Sequence, residues 1–460
     1  MWRDVGSVVC DRDISGPRLM AEDVDGFMGS FPRPRRNRWG SRLCPKMSPR
    51  QVMSCLLLVF VVGGCRPSSE VDSSERDGEA STPSVHEFVR EGSALVLSPD
   101  DSIQQALDLV AGDSALTTVR LTAGTYRPSR PGQAFVRFLA KHDGVTLEGV
   151  GDVTLTAAAP ELSGESNPAH PAVVNHVVYF GDGVTPRTKL RAVKITGANG
   201  FEDDPANEVL EPASVLRREL QPGMFFYRDG GAIKIFGRSS PTIENVTCHD
   251  NHTRLCGAGI SVEQRGLTTE PVRITDCIFR ENHCPATGVA IDLLQGSHAV
   301  IENCLFVGNV GNSGMDEIAQ ATGLRYKPEH GTGALTVFPG SAARVLRSTF
   351  TGNSNGVDDA GIGSEYRDCI FWMNVAGDGS RPGGPFELDV ASTSLVAGCF
   401  IHGETNDLPG TVNPDVNMLD APDPEFDGEF RPLAAGYEDV GYRPPSDPIS
   451  QLPRQSDGSN

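Results

Sequence analysis

Nine residues recur along this chain with their apolar positions in phase. IENCLFVGN, starting at Ile301, returns as IENVTCHDN from Ile243, ITDCIFREN from Ile274, VLRSTFTGN from Val345 and YRDCIFWMN from Tyr366. A weaker sixth copy, VAGCFIHGE, starts at Val396. Self-similarity at this period means stacked units rather than one compact core. Offsets three and five alternate around a polar residue, which is strand periodicity. Offsets zero and three cannot face one side of a straight strand, so the chain bends between them. The residue at the bend is Asn245, Asp276, Asn303, Arg347, Asp368 or Gly398, and five of these six enter the left-handed region cheaply.

Stacking such units gives an all-β, single-stranded right-handed parallel β-helix, a solenoid with interior columns. One column is Val246, Cys277, Cys304, Ser348, Cys369 and Cys399; the next is Cys248, Phe279, Phe306, Phe350, Phe371 and Ile401. A third holds Asn251, Asn282, Asn309, Asn353 and Asn374, whose carboxamides can bond along the stack. From Gly230 a second strand follows in each coil: GGAIKIF, GAGISVE, GVAIDLL, GALTVF and PFELDV. Its inward residues run from Ile233 and Ile235 to Phe386 and Leu388. Lys234, Ser261, Asp292, Thr336 and Glu387 form an outward row, to which NGVDDAG adds Asp358.

Ahead of the repeats, ALVLSPDDSIQQALDLVAGDSALTTVRLTAGTY reads as strand, short helix and strand. Ile103, Ala106, Leu107 and Val110 share one helix face, and Ser98 or Asp100 can cap its start. This stretch resembles the first segment of pectate-lyase-like right-handed β-helix proteins, in which a short N-terminal capping helix covers the open coil. The resemblance spans roughly residues 94–435. DPEF at Asp423 and FRPL at Phe430 resemble the closing segment of many bacterial β-helix proteins, which covers the last coil. The organisation expected is a leader over 1–64, a disordered tether over 65–93, the β-helix over 94–412, a closing segment over 413–442 and a disordered tail over 443–460.

The leader carries MSPRQVMSCLLLVFVVGGC from Met47: one Arg, a short apolar run, then small residues. That is a signal peptide, too short to span a bilayer as a mature helix. VGGC resembles a bacterial lipobox, which implies lipidation at Cys65; an ordinary secretory peptide is the alternative. The expectation is translation from Met47 and a mature protein lipid-anchored outside the cytoplasm. Residues 66–92, rich in Ser, Glu, Asp and Pro, would hold the fold off a membrane.

The chain has 40 Lys plus Arg and 60 Asp plus Glu, for a net charge of −20. Without residues 1–64, with 10 basic and 6 acidic side chains, this becomes −24. Such a balance argues against nucleic acid as a partner. Of 11 Cys, Cys277, Cys304, Cys369 and Cys399 read as small buried apolar residues. Cys256 and Cys284 occupy what read as corresponding turns and are candidates for a disulfide.

The pectate-lyase-like superfamily contains lyases, hydrolases, esterases, epimerases and non-catalytic surface proteins, so fold alone gives no reaction. The NTD and RIK elements of polygalacturonase-like hydrolases and the vWiDH element of pectate lyases are absent here. In the outward row, Lys234 and Asp292 lie two coils apart, roughly 10 Å at ordinary strand spacing. With Asp358 and Glu387 they form a candidate catalytic set for glycoside cleavage or elimination, and Ser261 and Thr336 are candidate substrate ligands. Asp250 and His252, beside Glu281 and His283 in the next turn, have metal-ligand residue types, with calcium the cofactor candidate. Two functions stand: a lipid-anchored monomer that binds glycans or surface polymers, or a polysaccharide lyase or glycoside hydrolase.

Overall fold

The bend residues decide the coil. Asn245, Asp276, Asn303, Arg347, Asp368 and Gly398 all have positive φ, between 42° and 67°. Each single left-handed residue re-aims the chain so that offsets zero and three both point inward. Arg347 adopts this conformation without a short polar side chain, a strain of about 1–2 kcal/mol; its guanidinium pairs with Glu302 on the neighbouring coil. The computed structural model describes residues 88–200, 229–253, 255–285, 287–311, 333–374, 386–403, 405 and 412–445. The leader, Cys65, most of the tether, the long excursions between coils and the end of the tail lie outside the described residues.

Two parallel sheets build the described coils. In the longer one, Ile243, Ile274, Ile301, Val345, Tyr366 and Val396 stand in register, one per coil. Cys248, Phe279, Phe306, Phe350, Phe371 and Ile401 do the same. Rings 279, 306, 350 and 371 stack with centroids 5.1, 4.1 and 5.1 Å apart. The thiols of Cys277, Cys304 and Cys369 are buried and donate to carbonyls of their own bends, at 3.2–3.3 Å. All seven described cysteines are free.

The Asn column is a continuous hydrogen-bonded file. Nδ2 of Asn251, Asn282, Asn309 and Asn353 donates to Oδ1 of the next Asn at 3.1, 3.0, 2.9 and 2.7 Å. The same amide donates to a carbonyl of the preceding coil, as Asn309 does to Phe279 O at 2.9 Å. Every polar atom of a fully buried side chain is thereby satisfied. The file ends on Glu387, whose carboxylate accepts from the Asn374 backbone N–H at 3.0 Å and from its Nδ2.

The second sheet has eight described strands, from Gly132–Phe138 and Val174–Phe180 through Ile233–Phe236, Ile260–Glu263, Ile291–Leu293, Leu335–Val337, Val357–Asp359 and Leu388–Val390. Its register corrects one expectation. Val357 pairs with Leu388 and Asp358 with Asp389, so Asp389 continues the outward row and Glu387 lies two residues before it. Helix α1, Ile103–Gly112, buries Ile103, Ala106, Leu107 and Val110 as expected, but its N-cap is Ser102, whose Oγ accepts from the Gln105 N–H. Ser98 instead closes a turn on Asp101. The fold starts earlier than residue 94: Val89–Glu91 pairs antiparallel with Ala94–Leu97.

The closing segment does not simply cover the last coil. Met418–Leu419 adds one more parallel strand. Then the chain turns back along the outside of the stack. Tyr437 and Val440 pack on Ile370, Gly441 N–H donates to Asp368 O, Tyr442 N–H to Thr349 Oγ1, and Arg443 N–H to Asn303 Oδ1. The cause is on the sheet: Leu305, Ile370 and Phe400 project outward where a solvent-facing column would be polar, and they demand cover.

Candidate functional site

The outward row faces away from the core, yet it is not open to solvent. Lys234, Ser261 and Asp292 are 0% exposed, Glu387 1%, Thr336 5% and Asp358 6%. The turn before each strand folds over the row. Gly230, Gly257 and Gly288 have φ of +76°, +63° and +58°, and a Cβ on each would meet Lys234, Ser261 or Asp292 at 2.5–3.0 Å. Backbone therefore lies against the outward side chains where a groove was expected. Gly288→Ala should destabilise by roughly 2 kcal/mol through the left-handed strain alone, read as a lower urea midpoint. An unchanged midpoint would mean that the turn does not press on Asp292.

Beneath these turns lies a buried charge network that the periodicity did not reveal. Lys234 Nζ lies 2.9 and 2.8 Å from the two Asp229 oxygens, 2.7 Å from Glu263 Oε2 and 3.3 Å from Ser261 Oγ. Ser261 Oγ donates to Asp229 Oδ2 at 2.6 Å, and Arg265 Nε holds Glu263 Oε1 at 2.7 Å. Desolvation pulls the ammonium of Lys234 down, but Asp229 and Glu263 outweigh it and its pKa is raised. A locked ammonium is a poor general base, which corrects the role expected for Lys234. Desolvation pushes Asp229 up to about 6. Buried His176 donates from Nδ1 to Gly230 O in the neutral tautomer consistent with its pKa, pulled by desolvation to about 3.

Ser261 and Thr336 are likewise used internally: Thr336 Oγ1 accepts from the Gly288 and Gly333 N–H groups at 2.9 and 3.3 Å. Asp292 differs. Neither carboxyl oxygen meets a strong donor; the Cys256 thiol beside it is a weak one, and its interaction pulls the Asp292 pKa down. Desolvation first, with the charges of Asp229 and Asp358, outweighs Cys256 and Lys234 and holds Asp292 well above the usual carboxylate range. Glu387 serves the Asn file rather than the row.

The four residues proposed as metal ligands do not converge. Asp250 and Glu281 are turn residues with φ of 50° and 53°, their side chains each 59% exposed and paired with His249 and Arg280. His252 and His283 lie in register two positions further on, ring centroids 4.9 Å apart and tilted 48°, with His252 Nδ1 3.2 Å from Asn199 Oδ1. Among the described residues no three His, Cys, Asp or Glu side chains group to hold a metal ion. Cys256 and Cys284 are also out of phase. Thr253 Oγ1 donates to Cys256 O, and Cys284 Sγ donates to Thr287 O. Cys284 therefore matches Thr253, and Cys256 matches Thr287.

A solvent-facing column also went unnoticed in the sequence. His249, Arg280, Val307, Thr351, Trp372 and His402 stand in register on the outer face of the long sheet. Trp372 and His402 are half-buried, their rings 4.3 Å apart and tilted 32°, beside the folded-back closing segment. The signal was present as W and H at equivalent offsets of YRDCIFWMN and VAGCFIHGE.

Residues 223–325 match the family model described as right handed beta helix region. With the columns in register, the chain is a right-handed parallel β-helix protein. The crystal structure of Escherichia coli YbhC is similar at 12% identity, over 82% of this chain and 85% of that one, with a TM-score of 0.31. None of the curated proteins compared matches the sequence.

Proposed function

We propose that this β-helix protein works outside the cytoplasm, lipid-anchored through Cys65 as a monomer, and binds glycans or surface polymers without cleaving them. The observation that supports binding is the Trp372–His402 pair on the outer face. The partly exposed indole offers apolar surface to the C–H face of a sugar ring, while His249 and Arg280 along the same column offer donors. Burial of the Lys234 network supports a non-catalytic reading, because its acid and base groups already neutralise one another. The test is a polysaccharide binding panel, with and without calcium. Trp372→Ala should weaken binding about tenfold, the equivalent of ~1.4 kcal/mol, with little change in Lys234→Arg. Equal binding by Trp372→Ala would remove this column from the site. Mass analysis of the mature amino terminus tests the anchor, and an unmodified residue other than Cys65 would refute it.

Asp292 favours the alternative, a lyase or hydrolase. A buried carboxyl held above the usual carboxylate range, with only a thiol beside it, is unfavourable for stability and has the character of a general acid. Turnover of any polysaccharide that disappears in Asp292→Asn, with the fold retained, would establish catalysis and overturn the binding-only reading.

A further inference from the structure

Lys234, Asp229 and Glu263 meet in a way an ordinary ion pair does not require. The Lys234 and Asp229 side chains are both 0% exposed, and that of Glu263 is 8% exposed. Nζ lies within 2.9 Å of both Asp229 oxygens, which places the carbon between them about 3 Å away; attack requires the carboxyl to turn its face toward Nζ. Glu263 Oε2 touches the same nitrogen from the adjacent strand at 2.7 Å. Ser261 fixes Asp229 Oδ2 at 2.6 Å, and His176 holds Gly230, next to Asp229, at 2.8 Å. An amine, a carboxyl and a second carboxylate touching the amine, all removed from water, are the parts of an amide-forming site.

We propose that Lys234 and Asp229 become joined by an intramolecular isopeptide bond, with Glu263 as the catalytic proton carrier. The ammonium gives one proton to Glu263 Oε2. The freed Nζ lone pair attacks Asp229 Cγ, while Ser261 polarises Oδ2, the oxygen that is retained. The proton held by Glu263 and a second Nζ proton pass to Oδ1, which leaves as water. One C–N bond forms, one C–O bond breaks, and Glu263 returns to its carboxylate. An ammonium and a carboxylate have become an amide and a water, with no oxidant, reductant or co-reactant. Confinement supplies the driving force: oriented intramolecular partners reach effective molarities of about 10⁵–10⁸ M, and condensation removes two buried charges that are costly to keep. Desolvation is the largest influence on all three groups and favours their neutral forms, against the mutual charges that hold Lys234 above and Glu263 below their ordinary values, so the proton transfer to Glu263 is the slow step. The product would staple the turn over the polar row to the strand beneath it.

The test is peptide mass mapping of the full chain, folded, then denatured and digested with trypsin. Cleavage after Arg228 and Arg238 isolates DGGAIKIFGR. The expected peptide is uncut at Lys234 and lighter by one water, with no free Lys234 amine for an acylating reagent. Asp229–Gly230 can also lose one water as a succinimide, but that product leaves the amine free and the Lys234 bond cleavable. Glu263→Gln should restore the full mass, and so should Lys234→Arg in the peptide spanning this turn. A wild-type peptide of full mass, cleavage after Lys234, or a water loss that survives in Lys234→Arg would each overturn the proposal. The wild-type peptide decides the matter even if a variant fails to fold.

Discussion

Asn309→Ala is expected to destabilise the stack by about 4 kcal/mol, more than removal of one hydrogen bond would. Asn309 sits mid-file. Its Oδ1 accepts from the Asn282 N–H at 3.2 Å and from Asn282 Nδ2 at 3.0 Å, and its Nδ2 donates to Phe279 O and Asn353 Oδ1. Truncation takes a partner from each of these four groups; Asn353 Oδ1 keeps the Asn309 backbone N–H at 3.0 Å and Asn282 Nδ2 keeps Cys248 O at 2.9 Å, so the cost falls chiefly on the Asn282 N–H and the Phe279 carbonyl, roughly 1–3 kcal/mol each, with the cavity left by the carboxamide added. Asn309→Asp is informative because a carboxylate accepts but cannot donate to Phe279 O or Asn353 Oδ1, so it should also fail. Urea denaturation followed by circular dichroism is the measurement. A loss below about 1 kcal/mol in Asn309→Ala would mean that the file is decoration on a stack held by its apolar columns.

The Glu387 carboxyl should withdraw stability as pH rises from about 5 to 8. Desolvation pushes the Glu387 carboxyl from an ordinary 4.5 up to about 7, outweighing the bonds from Asn374. A group whose folded pKa is raised contributes stability that is fully present below its unfolded value and is lost as pH rises through the folded one. For Glu387 the loss amounts to roughly 3 kcal/mol once both states are ionised. Asp229, raised to about 6, and Asp292, raised well above its ordinary value, act in the same direction. Carboxyls shifted the other way do not enter this window, but buried His176, pulled by desolvation from 6.5 to about 3, opposes the fall up to about pH 6.5, and His142, His283 and His298 are shifted in the same sense. Glu148, where bonds from Arg191 and Arg120 outweigh desolvation, changes stability only below its ordinary 4.5. Glu387→Gln keeps the shape, loses one acceptor and removes this carboxyl's contribution, so the stability difference between wild type and variant should shrink as pH rises from 5 to 8. A difference that stays level across that range would contradict the burial of Glu387.

The repeat made the stack readable because its requirements are local. A left-handed residue between two short strands, with apolar residues at offsets zero, three and five, admits one coil geometry, and even Arg347 obeys it. Column membership follows, since coils of unequal length still return to the same phase. The helix face Ile103, Ala106, Leu107 and Val110 was legible for the same reason. The site was not. Period two tells on which side of a strand Lys234 lies, but not that Gly230, four residues earlier, folds back across it. Nor does spacing place Asp229 and Glu263 around one nitrogen, put Asp389 rather than Glu387 at the end of the row, or separate Cys256 from Cys284.

What the chain's order of residues determined alone was the shape of one coil and the identity of its interior files, because those depend on backbone sterics and alternation. What covers the outward faces was decided only in three dimensions. The glycine turns bury the charged row, and Tyr437 and Tyr442 return to meet Ile370 and Thr349. Such contacts join residues up to 140 positions apart, as Asn303 and Arg443 are, and no local preference specifies which distant segment will remove a given side chain from water.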